Sequence, residues 1–124
     1  MRVLLDTHLL LWALSSPSRL SPRARRIIDD EDVYASAASI WEVSIKVALG
    51  KLTGDPDEVV AALGPAGFRS LAITVEHAAR VQSLPPLHKD PFDRMLIAQA
   101  LSEPMILLTN DVALAGYGDI VKLV

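Results

Sequence analysis

Cysteine is absent from the 124 residues. Its absence excludes a disulfide scaffold, a cysteine-based zinc site and a thiol nucleophile, and it suits a cytoplasmic location. Long apolar runs are absent too. The longest near the start, Leu9 to Leu14, falls far short of the ~20 residues that a membrane span needs. Asp6 and His8 interrupt what would otherwise pass for the hydrophobic stretch of a signal peptide, and no small-residue cleavage site follows. The expectation is a soluble, unprocessed chain. Nor is there an excess of positive charge: 12 Lys+Arg stand against 15 Asp+Glu, for a net charge of -3. Any nucleic acid would have to be held by a local basic patch or through metal ions.

No repeat, low-complexity tract or interdomain linker is visible. Pro and Gly cluster only as short punctuation, at 15–22, 50–56, 64–67, 84–91 and 116–118. What is present is a core-forming composition, 51% hydrophobic and 22% charged. That composition and length predict one domain over residues 1–124, burying about two-thirds of the surface its unfolded chain exposes.

Short apolar runs alternate with helical patterns. Val3-Leu4-Leu5, Val33-Tyr34-Ala35, Arg69 to Ile73, Met105 to Leu108 and Ile120 to Val124 read as five strands. Helices are predicted from Thr7 to about Leu14 and from Ser21-Pro22 onward. Further helices are predicted over Ala38 to Leu49, from Asp55-Pro56, from a Thr74 cap to about Ser83, and from Asp90-Pro91 to about Ser102. Cap residues followed by Pro, and Gly50 after the third helix, set several of these ends. In the Ala38 to Leu49 helix, Ala38, Trp41, Ile45 and Ala48 fall near one stripe. Strands separated by helices predict an α/β fold with a mainly parallel sheet covered on both faces. Such sheets bind ligands outside the carboxyl ends of their strands.

Acidic residues mark those ends. Asp6 follows the first strand, where it serves as a helix cap or as a ligand. Glu42 lies three residues after Ser39, in capping-box spacing, and four before Lys46, in ion-pair spacing. It also sits beside an apolar face, where an acid needs a partner. Asp90 precedes Pro91 and reads as a cap. Asp93 falls in the first turn of the same helix, on the side of Leu96, Ile97 and Ala100, and is the better functional candidate. Asp111 follows the fourth strand after Thr109 and Asn110 and reads as a cap for a short helix or turn. Each acid has a structural explanation by itself, but together they mark one edge of a parallel sheet. Carboxylates crowded there raise one another's pKa, and a divalent cation removes the conflict. Oxygen ligands without cysteine match Mg2+ or Mn2+ better than zinc.

Several stretches of this sequence resemble the PIN-domain ribonucleases, specifically the VapC-type toxins of bacterial toxin–antitoxin pairs. The matching stretches are Leu4-Leu5-Asp6-Thr7-His8 with Leu11-Trp12, and Ser39-Ile40-Trp41-Glu42 with Lys46 and Gly50-Lys51-Leu52. They continue with His88-Lys89-Asp90-Pro91-Phe92-Asp93-Arg94 running into Leu96-Ile97-Ala98-Gln99-Ala100, and with Leu107-Leu108-Thr109-Asn110-Asp111. Together they cover most of the chain in order. The segment Thr53 to Thr74 matches least. The resemblance implies a three-layer α/β/α fold with a central, mainly parallel sheet of about five strands. It also implies a metal-dependent endoribonuclease using Mg2+ or Mn2+, with Asp6, Glu42, Asp93 and Asp111 as the acidic quartet. Among these, Asp6 and Asp93 would bind the ion most directly. Thr109 would support a carboxylate or a water, with Asp90 beside it. Arg94, Lys46 and Lys89 are candidate phosphate contacts. RNA, a VapB-like antitoxin and a second copy of the chain are the implied partners, and no membrane is.

Other residues draw plainer expectations. Trp12 and Trp41 are read as core or dimer-contact residues. His8, His77 and His88 show no metal-ligand spacing; His8, two residues from Asp6, could line the site, but the preferred reading is a satisfied helix residue. Two other readings compete. A haloacid-dehalogenase-like phosphatase would want a second Asp where His8 stands. A non-catalytic PIN-like module that binds RNA or protein would leave Glu42 and Asp93 as mere ion-pair and cap residues.

Overall fold

The computed structural model describes all 124 residues, Met1 to Val124. Five strands form one sheet: β1 (Arg2–Leu5), β2 (Asp32–Ser36), β3 (Arg69–Leu71), β4 (Ile106–Thr109) and β5 (Val121–Leu123). Six helices accompany it: α1 (Thr7–Ser15), α2 (Pro22–Asp30), α3 (Ala37–Ala48), α4 (Pro56–Leu63), α5 (Val75–Arg80) and α6 (Pro91–Ser102). Short 3-10 turns occupy Pro17–Arg19, Val81–Ser83 and Val112–Tyr117. No helix is long and apolar enough to cross a membrane.

Every strand pair is parallel, in the order β3-β2-β1-β4-β5. Period-2 alternation explains the layers. Val3, Leu5, Val33, Ala35 and Leu108 face a core completed by Leu9 and Leu10 of α1, Leu20 of the connection before α2, Ala24 of α2 and Leu63 of α4. Leu4 and Leu107 face the opposite core, with Ala38 of α3, Leu96, Ile97, Ala98 and Ala100 of α6, and Leu114. The central strands β1 and β4 are buried on both faces, as a parallel sheet requires, while the edge strands β3 and β5 are more open, and the architecture is the three-layer α/β/α one expected.

The order of the strands positions the site. The chain builds outward from β1 through β2 to β3, then returns to lay β4 on the other side of β1. The crevice at that reversal opens beyond the carboxyl ends of β1 and β4. Leu5 pairs with Leu108, so Asp6 and Thr109 come side by side one residue later. The Asp6 amide donates to the Leu108 carbonyl at 3.0 Å.

Three local expectations need correction. The third helix begins at Ala37, and its cap is Ser36, whose hydroxyl accepts from the Ala38 amide. Ser39 therefore caps nothing; it is buried and accepts a hydrogen bond from the Thr7 hydroxyl at 2.9 Å. The buried face of α3 carries Ala38, Ser39, Glu42 and Val43, while Trp41 is 57% exposed and Ala48 also faces solvent. The face toward the site is thus partly polar, which is why an apolar stripe misreads it. The helix expected to run from Thr74 to Ser83 ends as α-helix at Arg80 and tightens into the 3-10 turn.

Candidate metal centre

A cleft of about 230 Å3 lies beyond the carboxyl ends of β1 and β4. No hydrophobic residue lines it. Five carboxylates do, from Asp6, Glu42, Asp90, Asp93 and Asp111, joined by Thr7, His8, Lys46 and His88.

Asp6 caps α1: its Oδ1 accepts from the Leu9 amide at 2.8 Å. The Thr109 hydroxyl donates to Asp6 Oδ2 and accepts from the Asp111 amide at 3.0 Å. Thr109 is fully buried, so one hydroxyl fixes the acid after β1 and the turn after β4. Cap and site member are therefore not alternatives for Asp6. The same carboxylate that closes the helix faces the cleft, where the positive end of the helix favours an anion. Asp111 caps the 3-10 turn through the Ala113 amide at 2.9 Å. Asp90 caps α6 by accepting from the Phe92 and Asp93 amides, at 2.8 and 3.1 Å. That leaves Asp93, in the first turn, without a capping role.

Glu42 points inward from α3 and is only 4% exposed. Its Oε2 accepts from Lys46 Nζ at 2.6 Å, and Lys46 is the half-exposed member of the pair. The predicted i,i+4 pair forms, but at the cleft wall rather than on open surface. The hydrogen bond to Glu42 raises the Lys46 pKa, so Lys46 stays charged.

The electrostatics of the cleft are unbalanced. Burial raises the Asp6 pKa despite the opposing hydrogen bonds from Thr109 and Leu9. Burial likewise pushes Asp93 up to about 6; the bond from His88 works against this, and the nearby Asp90 and Glu42 charges add to it. Two carboxyls that resist ionisation, walled by further acids and one already paired lysine, suit a divalent cation. The donor set is oxygen-rich and contains no sulfur, matching hard or borderline ions.

One site residue was missed in the sequence. His88 shows no ligand spacing in the sequence, yet its Nε2 lies 2.8 Å from Asp93 Oδ2. Donor atoms of His88, Asp93 and Asp111 all lie within 4.8 Å of one another. His88 belongs to an irregular loop before α6, so no helical or strand period could have revealed it; nearness to a capped helix start was the available signal. His8 is exposed on the first turn of α1 and lines the cleft instead of being satisfied within its helix. His77 is elsewhere, buried in a capping box with Thr74 and 2.6 Å from Glu103.

Among the candidate phosphate contacts, only Lys46 lines the cleft. Lys89 is exposed beside it without lining it. The Arg94 guanidinium is occupied by the carbonyls of Val81, Pro85 and His88 and by the Tyr117 hydroxyl, at 3.0–3.4 Å. Arg94 is thus a brace for the loop before α6.

Comparison with known proteins agrees with this architecture. The PIN domain family model matches residues 3–119. Ribonuclease VapC22 of Mycobacterium tuberculosis is 32% identical over 112 residues, covering 88% of this chain and 86% of that protein. The solved structure of VapBC2 from Rickettsia felis, bound to a promoter DNA fragment, matches 100% of this chain and 98% of its counterpart with a TM-score of 0.70 at 14% identity. FitAcB from Neisseria gonorrhoeae matches 98% of this chain and 96% of its own with a TM-score of 0.66 at 24% identity. These likenesses support the same fold. With the sheet, the acidic cleft and the family match in hand, the chain belongs to the PIN-domain family and, within it, to the VapC-type ribonucleases.

Proposed function

We propose that this chain is a metal-dependent endoribonuclease and the toxin of a VapBC-type toxin–antitoxin pair, with residues 1–124 acting as one unit. The observation that carries this reading is the cleft itself: five carboxylates and no apolar side chain at the topological reversal of a PIN sheet. Asp6, Glu42, Asp93 and Asp111 would hold the ion, Mg2+ or Mn2+. A bound ion of this kind supplies an acidified water and charge neutralisation at a phosphodiester. Thr109 keeps Asp6 and Asp111 in mutual register. Lys46 keeps its charge at the cleft wall and uses its remaining donors on phosphate oxygens. Asp90 holds the first turn of α6, and with it Asp93, in place. A narrow acidic cleft favours RNA whose backbone can bend into it, namely single-stranded or loop RNA.

The binding-module alternative requires Glu42 and Asp93 to be only an ion-pair and a cap residue. Glu42 is buried at the cleft wall, and the cap of α6 is Asp90, so no observation favours that alternative. A VapB-like antitoxin would occlude the cleft, and a second copy of the chain would complete a homodimer.

The test is cleavage of total RNA by the purified chain with Mg2+ or Mn2+, with and without EDTA, beside Asp93→Asn. Cuts that need both the ion and Asp93 are expected. Folded, metal-loaded protein that leaves RNA intact would refute the nuclease. Expression alone should arrest growth, and co-expression of the antitoxin should relieve it.

A further inference from the structure

The geometry points to His88 as a nitrogen donor to the ion held by Asp93 and Asp111, making this centre a mixed imidazole–carboxylate site that prefers Mn2+ to Mg2+. The inference rests on the metal-nuclease reading and adds a ligand outside the acidic quartet. Of the cleft's ionisable residues, His88, Asp93 and Asp111 present donor atoms within 4.8 Å of one another. Donors to one ion of this size lie roughly 3–4 Å apart at metal–ligand distances near 2.1 Å, so a small closure brings all three into range.

The position of His88 is built rather than incidental. Its loop lacks regular structure, but its backbone is held at both ends. The His88 amide donates to the Tyr117 hydroxyl at 3.1 Å, and the His88 carbonyl accepts from Arg94. The Tyr117 hydroxyl in turn donates to the Pro85 carbonyl, to which Arg94 also donates. Arg94 and Tyr117 therefore clamp the segment from Pro85 to His88 against α6, and the imidazole is left facing Asp93 with 22% of its side chain exposed. Mn2+ is itself a hard ion, but as the first member of the first-row divalent series it accepts an imidazole nitrogen more readily than Mg2+, which keeps to oxygen ligands and water.

The test is electron spin echo modulation of Mn2+-loaded protein at pH 7.5, with Mn2+ and Mg2+ titrations by calorimetry. Wild type, His88→Gln and His8→Gln are compared, with thermal melts as a folding control. Nitrogen-14 modulation is expected in wild type and His8→Gln and absent in His88→Gln. The Mn2+ Kd of His88→Gln should rise about tenfold or more, the usual cost of disturbing a ligand set, with a smaller change for Mg2+. Loaded wild type without nitrogen modulation would overturn the assignment, as would modulation that survives in His88→Gln or equal losses for both ions. The wild-type spectrum decides even if the variant does not fold. Wild type that takes up neither ion would instead sink the metal-nuclease reading itself.

Discussion

Replacing Thr109 by Val tests how the site is held together without touching any acid. The substitution keeps the branched shape inside a fully buried position but removes the hydroxyl that donates to Asp6 Oδ2 and accepts from the Asp111 amide. A hydrogen bond to a charged group contributes about 1.5–3 kcal/mol, and the orphaned amide adds a desolvation cost of about 1–3 kcal/mol where water cannot reach it. Asp111 is partly exposed, so water recovers much of the second amount. Metal-free Thr109→Val should therefore lose about 2–3 kcal/mol of stability at pH 7.5. The Thr109 bond also lowers the Asp6 pKa against the effect of burial. Without it Asp6 holds its proton more tightly, and an incoming cation must displace that proton. Mn2+ affinity at pH 6.5 should fall more than at pH 8.5, and Thr109→Ser should recover both stability and affinity. Denaturant unfolding and calorimetry at the two pH values measure these effects. Thr109→Val with wild-type Mn2+ affinity at both pH values would refute the hydroxyl's role as the tie between the two acids.

Other expectations follow from the same geometry. Asp93 has its pKa raised to about 6, chiefly by burial, so the folded protein binds this proton more tightly than the unfolded chain does. Its contribution to stability is full below the unfolded value of 3.8 and is lost as pH rises through about 6. Metal-free protein should therefore melt lower at pH 7.5 than at pH 5, Asp93→Asn should flatten that difference, and saturating Mn2+ should reverse it in wild type. Lys46→Ala should weaken RNA binding and flatten its dependence on salt, whereas Arg94→Lys should leave the salt slope unchanged and lower thermal stability, because only Lys46 faces the cleft. Asp90→Ala should cost about 1 kcal/mol of stability, as the loss of a helix cap does, while metal binding persists; loss of all Mn2+ binding would make Asp90 a ligand instead.

The parts of this molecule that were legible in the sequence are those fixed by near neighbours. Asp6, Ser21, Asp55, Thr74, Asp90 and Asp111 all cap the elements they precede, because a cap is a contract between residues two or three apart. β1, β2 and β4 were legible because their apolar runs are largely buried between the two helical layers, whereas the edge strands β3 and β5 stay partly open and were legible from their apolar residues and flanking turns. Glu42 was legible as suspicious but not as to role. Its surroundings depend on which side of α3 meets the sheet, and the apolar residue count favoured the side of Trp41, which packs edge-to-face on Phe92 at 5.1 Å and stays open to solvent. His88 and Arg94 were misjudged for a common reason. Both are fixed by the Pro85 to His88 loop and by Tyr117, which is 23 residues beyond Arg94, and no local pattern encodes that contact. The convergence of Asp6 with Asp111 required the strand order, which the sequence leaves open until β4 is placed beside β1.

The Thr109–Asp6 bond joins residues 103 positions apart, and this separation has a consequence for folding. Asp6 and Glu42 precede β4 in the chain, so the slot next to β1 stays empty until β4 docks there. Up to that point the Asp6 carboxylate lacks the Thr109 hydroxyl that ties it to the turn bearing Asp111. The two acids after β1 and β4 are thus brought into register in one long-range step of folding, which must overcome the closure entropy of the loop between them.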